Sequence, residues 1–257
     1  MISPVNSQEK AEQVCTEFND NLLAYPDAIQ YVNNRGLTLE QIREMKIGYC
    51  PPYSNYRFFL LKGRIIVPIR DVHGSIVAFA GRIFEPMQNV TEQVYIDMFP
   101  KKPEKAQSII DAWERAKWIN EIYAKNRHLF NLCYAKEYIR EEGYAIIVEG
   151  YLDALVLYAN GIKNVVALCG TTLSEKHISL LARYCRKVIL FLDSDEAGKK
   201  SVSKIVPELK DFNMYHHVVS PPSGEDPDEL VIRKGGDKLK YVFDVVVKEN
   251  KANVNLR

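Results

Sequence analysis

The chain has 257 residues, 47% hydrophobic and 26% charged, enough for one large domain or two small ones with a true core. No apolar run is long enough to span a bilayer, the polar start from Met1 to Asp20 excludes a signal peptide, and the five cysteines (Cys15, Cys50, Cys133, Cys169, Cys185) form no CxxC pair, which excludes a zinc ribbon or disulfide framework and fits a reducing cytosol. A net charge of +1 gives no bulk support to nucleic-acid binding, although acidic ligands can cancel basic contacts elsewhere.

In chain order, Asn6 to Lys46 reads as helices, with Val14, Phe18, Leu22 and Leu23 at helical spacing. Asn33-Asn34-Arg35-Gly36 stops one helix, and Thr38 caps a short second one to Met45. Cys50-Pro51-Pro52 breaks the pattern. Arg64 to Ile69 is apolar and β-branched, Asp71-Val72-His73-Gly74 is a turn, and Ser75 to Ala80 returns as the second strand of a hairpin. The charged, aromatic stretch from Pro100 to Asn126 reads as helical, with Trp113 and Trp118 on it.

From Tyr144 the pattern alternates. Strands are expected at Tyr144–Val148, Asn164–Leu168, Lys187–Leu192 and Tyr215–Val219, with helices at Leu152–Ala159, Ser174–Tyr184 and from Glu196. Strands joined by helices predict a parallel sheet, whose ligand chemistry sits beyond the carboxyl ends of its strands. Glu149 and Asp193 are expected there.

Three acidic clusters stand out: Glu149-Gly-Tyr-Leu-Asp153, Asp193-Ser-Asp195 and Asp226-Pro-Asp228. Carboxylates converging at a sheet edge repel by roughly 4 kcal/mol at about 4 Å and an effective dielectric of about 20. A hard divalent cation relieves this, and two ions can clamp the attacking and leaving oxygens of a displacement at phosphorus. The acids therefore suggest a Mg²⁺-dependent phosphoryl-transfer site. Ordinary structural roles compete at several positions. Asp153 suits the first turn of a helix, Asp195 can be a simple N-cap, and Asp226 to Glu229 resembles a capping box with Pro227 at the first helical position. Glu149 and Asp193 are harder to explain that way, since a carboxylate directly after a buried strand needs a partner.

These residues resemble the Toprim domain, which primases share with topoisomerases, some nucleases and recombination mediators, so the domain alone does not choose a reaction. Locally the sequence resembles DnaG-type DNA primases of bacteria and phages. The segments are Ile147–Asp153, Ala167–Thr171, Asp193–Gly198 and Gly224–Leu230. Upstream, Tyr31–Leu37, Ile47–Tyr49, Arg64–Asp71, Ala80–Arg82 and Lys125–Asn131 resemble the same family's polymerase domain. Val94 stands where the family usually has a basic residue, and Pro100–Glu121 resembles an insertion.

The resemblance implies an α/β chain: a mixed α+β N-terminal lobe over 1–142, a Toprim domain with a mainly parallel sheet flanked by helices over 143–232, and a short helical tail over 233–257. A groove between the lobes would hold template and nucleotides. The implied activity is synthesis of short RNA primers on single-stranded DNA from NTPs. Glu149, Asp193 and Asp195 would be catalytic. Asp193, Asp195, Asp226 and Asp228 would bind metal, with Glu149 as ligand or general acid/base and Asp153 as a second-rank site residue. Two or more Mg²⁺ or Mn²⁺ ions are implied, and no zinc in this chain. Arg70, Arg82, Lys125 and Arg127 would contact template or triphosphate. The family's zinc-binding and helicase-binding modules have no counterpart here, which implies a replicative helicase and a separate zinc-binding module as partners, in the cytoplasm of a bacterial cell or phage-infected host, with no membrane. A Toprim nuclease and a non-catalytic nucleic-acid-binding accessory protein are the alternatives.

Overall fold

The structure is a computed structural model and describes residues 4–52, 60–84, 115–170, 172–222 and 224–256. Val94, Trp113, Thr171 and the segment 100–114, about which the sequence raised expectations, lie outside the described residues. The chain divides into two units, one made of 1–34, 38–69 and 76–123, the other of 35–37, 70–75 and 124–257. No helix among the described residues is long and apolar enough to cross a membrane.

The first unit opens with helices α1 (Pro4–Leu23) and α2 (Pro26–Asn33). Cys15, Phe18 and Leu22 form the buried stripe of α1, at the i, i+3, i+7 positions of one helical face. Helix α3 (Leu39–Glu44) starts as expected. The Thr38 hydroxyl accepts from the Gln41 N–H at 3.3 Å, and the Gln41 side chain accepts from the Thr38 N–H at 2.8 Å. A four-stranded sheet follows in sequence order: β1 (Gly48–Cys50), β2 (Arg64–Arg70), β3 (Ile76–Ile83) and β4 (Trp118–Asn120). Strands β2 and β3 are the expected hairpin. Trp118, expected on a helix, lies instead on β4, antiparallel to β3 with Arg82 opposite Trp118. The run Trp-Ile-Asn has the aromatic and β-branched character that a strand edge accepts, and pairing with β3 overrides the helical bias of the charged residues around it.

The second unit carries the parallel sheet. Its strands are β5 (Tyr144–Val148), β6 (Val165–Ala167), β7 (Lys187–Leu190), β8 (Tyr215–Ser220) and β9 (Asn253–Asn255), in the order β6-β5-β7-β8-β9, every pair parallel. Helices α4 (Leu132–Glu142), α5 (Tyr151–Ala159), α6 (Glu175–Leu181), α7 (Glu196–Asp211), α8 (Pro227–Lys234) and α9 (Gly236–Lys248) connect or flank them. One core gathers Ala145, Ile147, Val166, Leu168, Val188 and Leu190 with Ile139, Ile178, Ile205 and Leu209. On the other side of β7, Phe191 meets Phe243 of α9 edge-on at 5.1 Å. The segment after Lys234 holds the helix α9 and then β9, an added edge strand that the sequence pattern, read as helix only, did not reveal.

The chain leaves β5 toward β6 on one side and returns to β7 on the other. This reversal creates a crevice beyond the carboxyl ends of β5 and β7, where open α/β sheets bind ligands.

Candidate metal and phosphoryl-transfer site

Glu149 directly follows β5, and Asp193 comes three residues after the end of β7. Parallel pairing of the two strands continues past β7 through the Phe191 N–H to the Ile147 carbonyl at 2.9 Å. The crevice therefore brings these two acids to one end of one strand pair. Glu149 Oε1 and Asp193 Oδ1 are buried oxygens with no hydrogen-bond partner. A buried carboxylate oxygen in that state needs either a proton or a cation. Burial, and then the charge of Glu149, push the Asp193 carboxyl up to about 7. Burial likewise raises Glu149, against a backbone hydrogen bond at Asp193 that lowers it and the charges of Asp195 and Asp226 that add to the rise.

The approach depends on Gly198. A Cβ built there would lie 2.1 Å from the Asp193 carbonyl oxygen and 3.1 Å from Glu149 Oε1. The first turn of α7 thus packs directly on the Asp193 loop and beside Glu149, in space that only glycine leaves.

Asp195 occupies the N-cap position of α7 and accepts from the Gly198 N–H at 2.8 Å. The simple capping role is therefore present, through one oxygen of an exposed carboxylate. Asp153 also caps, accepting from the Gly150 N–H at 2.9 Å. It is almost wholly buried, and burial, then the charges of Asp228 and Asp193, raise its carboxyl to about 8. Asp226 behaves in the opposite way. It sits at the N-cap position of α8, with Pro227 in the first turn, yet its side chain makes no capping hydrogen bond. The capping box suggested by the sequence is not formed, and the carboxylate is exposed. Asp228, two residues on, is buried and accepts from the neighbouring Glu229 N–H at 2.9 Å. Burial raises it, and the charge of Arg35 opposes that rise.

Arg35 and Ser194 were not among the site residues expected from the sequence. Segment 35–37 is part of this second unit, and Gly36 lies against the Ile232 side chain of α8. The Ser194 hydroxyl accepts from the Gly224 N–H at 3.0 Å and donates to the Glu225 carbonyl at 3.5 Å, tying the Asp193–Asp195 loop to the loop before α8. A hydroxyl between two acids was the available signal, but its partner lies thirty residues away in the chain. Glu225 itself is engaged by Arg233 in an ion pair of 2.7 Å.

The cationic candidates are placed differently from one another. Arg82 is buried in the first unit, donates from Nε to the Tyr31 hydroxyl at 2.9 Å and stands 5.7 Å over the Trp118 ring. Arg70 donates to the Gly74 carbonyl at 2.7 Å in the hairpin turn, within the second unit. Lys125 and Arg127 occupy a short 3₁₀ turn of the second unit, Lys125 half-buried and Arg127 exposed. The charges of both Lys125 and Asp153 act on the Cys169 thiol, so this turn stands at the acidic end of the sheet.

Among the described residues, no group of three or more His, Cys, Asp or Glu side chains forms a ready-made metal cage. The donor chemistry nevertheless fits a hard cation. The ligands would be carboxylate oxygens, two of which are buried without partners, and the acids raise one another's proton affinity. Mg²⁺ commonly completes its shell with water and substrate phosphates rather than an all-protein cage.

One consequence concerns stability. Asp193 at about 7 and Asp153 at about 8 both lie above their ordinary value of 3.8. Between those limits the folded protein retains protons that the unfolded chain has released, so stability falls as pH rises from about 4 to about 8. We expect the metal-free melting temperature to fall over that range, and Asp153→Asn to flatten the fall. Added Mg²⁺ should raise it by several degrees at about pH 8 and by far less at about pH 5. Thermal denaturation across pH, with and without Mg²⁺, checks this, and equal metal response at both pH values would contradict it.

Residues 146–231 match the family described as Toprim-like. The chain is 29% identical over 277 aligned residues to the DNA primase of Aquifex aeolicus, covering 95% of this chain and 51% of that one. It superposes on the crystal structure of the Aquifex aeolicus primase zinc-binding and RNA polymerase domains with a TM-score of 0.77 at 28% identity, covering 95% of this chain and 62% of that one. It also superposes on a DnaG primase catalytic domain bound to single-stranded DNA, with a TM-score of 0.69 at 25% identity, covering 91% of this chain and 79% of that one. The chain spans about half the length of the Aquifex relative and 41% of the Staphylococcus epidermidis one. A parallel sheet with acids at its switch point and a Toprim-like match over those same strands agree with the wider likeness: over nearly its whole length this chain is similar in sequence and fold to DnaG-type primase catalytic cores.

Proposed function

We propose that the chain is the polymerising core of a DNA primase, joining NTPs into short RNA primers on single-stranded DNA. The observation that carries this reading is the pair of unpartnered buried oxygens, Glu149 Oε1 and Asp193 Oδ1, at the carboxyl ends of adjacent parallel strands. Asp193, Asp195, Asp226 and Asp228 would hold divalent cations, with Asp153 behind them. Bound Mg²⁺ or Mn²⁺ would supply charge neutralisation of the triphosphate and of the attacking 3′-oxygen. Glu149, with its raised proton affinity, suits a ligand or a group that accepts the proton from that hydroxyl. Asp195 can cap α7 with one oxygen and keep the other for a ligand. Support for a DNA template comes from the similar catalytic domain whose structure holds single-stranded DNA.

Among the cations, Arg127 and Lys125 are the better candidates for phosphate contacts. Arg82 is committed to Tyr31 and Trp118, so Arg82→Ala would disturb the packing of its own unit before it reported on DNA. A replicative helicase and a separate zinc-binding module remain the proposed partners, in the cytoplasm, because tethering raises the local concentration of template without a new contact at the site.

Incubation with single-stranded DNA, Mg²⁺ and labelled NTPs tests the reading. We expect labelled oligomers, at least tenfold more abundant when a cognate helicase or zinc-binding protein is added. Shortened DNA would indicate a Toprim nuclease, and neither product under any combination would indicate a binding protein.

A further inference from the structure

Helix α6 begins with an unusual capping box. The Ser174 hydroxyl accepts from the His177 N–H at 3.3 Å, and His177 Nδ1 accepts from the Ser174 N–H at 3.3 Å. Glu or Gln ordinarily fills this third position. Here it is a histidine of zero exposure, placed where a straight-chain residue would complete the box without burying a ring. Because Nδ1 is an acceptor, the ring proton belongs on Nε2, and Nε2 lies 2.8 Å from the Lys125 carbonyl. The Ser174 hydroxyl donates its own proton to the Asn126 carbonyl at 3.0 Å. The two residues of one cap thus bind two successive carbonyls of a segment about fifty positions earlier in the chain.

That segment is the 3₁₀ turn Lys125–Arg127, whose internal bonds are few: Arg127 N–H to the Ala124 carbonyl at 2.9 Å and His128 N–H to the Lys125 carbonyl at 3.3 Å. A single such turn holds its shape poorly alone. Just downstream it is anchored again, where Phe130 and Ala167 exchange backbone hydrogen bonds of 3.0 and 3.1 Å. With its carbonyls turned to the α6 cap, the backbone of the turn is fixed beside the acidic end of the sheet, where the Lys125 charge reaches Cys169.

We propose that Ser174 and His177 are positioning residues that clamp the basic turn, so that Lys125 and Arg127 meet the phosphates of a bound strand with little ordering cost. The proposal rests on reading that turn as a strand contact. A long cation on a loose turn must lose backbone and side-chain freedom on binding, and a clamp removes the backbone part in advance.

The test is the salt dependence of binding to a short single-stranded DNA, since each phosphate contact contributes about 0.7 to the slope of log affinity against log salt. The double variant Lys125→Ala/Arg127→Ala should flatten the slope by one to two such contacts. His177→Leu, which keeps the apolar volume and removes the donor, should weaken binding on the order of three- to tenfold and flatten the slope by about one contact. His177→Gln, able to accept from Ser174 and donate to Lys125, should restore both. Should His177→Leu fail to fold, Ser174→Ala, which loses the bond to Asn126, replaces it, with Ser174→Thr as the conservative partner. A flattened slope in the double variant together with wild-type binding in both His177→Leu and Ser174→Ala overturns the clamp and leaves the turn reading intact. An unchanged slope in the double variant overturns both.

Discussion

Asp193→Asn should reduce nucleotide incorporation by at least a hundredfold, and on the order of a thousandfold in Mg²⁺. A neutral amide is a poor ligand for a hard dication, and Asp193 supplies one of the two buried oxygens without a partner. The same change should not harm the fold. Removing one charge from a cluster in which Glu149, Asp226, Asp195 and Asp228 all raise Asp193 relieves repulsion. The metal-free variant should therefore melt at or above the wild-type temperature at about pH 8, where the wild-type carboxylate is ionised. Loss of activity with equal or higher stability is the signature of a site that trades stability for metal binding. Parallel measurements of incorporation and thermal unfolding decide it. Near wild-type incorporation that still requires Mg²⁺ would remove Asp193 from the mechanism.

Gly198→Ala should be nearly as severe, for a different reason. The added Cβ would meet the Asp193 carbonyl oxygen at 2.1 Å and its carbon at 2.9 Å, and backbone atoms cannot rotate away. Helix α7 must retreat, carrying Asp195, which caps it through the Gly198 N–H. We expect a loss of about 2–4 kcal/mol of stability. A displacement of about 1 Å at the acids should cost on the order of a hundredfold in rate. Gly74→Ala is the informative comparison. Its φ of +93° is strained for alanine, but nothing lies within 4 Å of the added carbon. It should cost about 1–2 kcal/mol of stability and leave incorporation near wild type. Chemical denaturation and primer extension on the two variants separate steric displacement of the acids from backbone strain. Full activity in Gly198→Ala would show that the close approach of α7 does not set the acid geometry.

Much of the second unit was legible because two of its strands, β5 and β7, lead through apolar runs to an acid, at Val148-Glu149 and Leu192-Asp193, and because helix and strand alternate. What the pattern lacked was order across the sheet. That β5 and β7 are neighbours follows from the chain reversing direction after β6, and no local signal records it. Strand β9 was missed because Asn253–Asn255 is short, polar and exposed, and becomes a strand only by pairing with β8. Trp118 was misread for a similar reason, its strand existing through β3. The caps show the limit at single residues. Asp195 and Asp226 both read as N-caps, yet one side chain caps its helix and the other does not. Arg82, expected from the sequence to contact template or triphosphate, is buried against Tyr31, a partner contributed by a helix fifty-one positions earlier.

On the proposed function, the acids at the ends of β5 and β7, with those of α8, would run metal-dependent nucleotide addition. Extension of an RNA primer already annealed to a DNA template tests it most directly, since initiation and its partners are bypassed. We expect NTP-dependent lengthening of the primer with Mg²⁺ or Mn²⁺, and none with a chelator or with Asp193→Asn. Lengthening that persists in the chelator, or a primer left unextended while the DNA is cut, would contradict it.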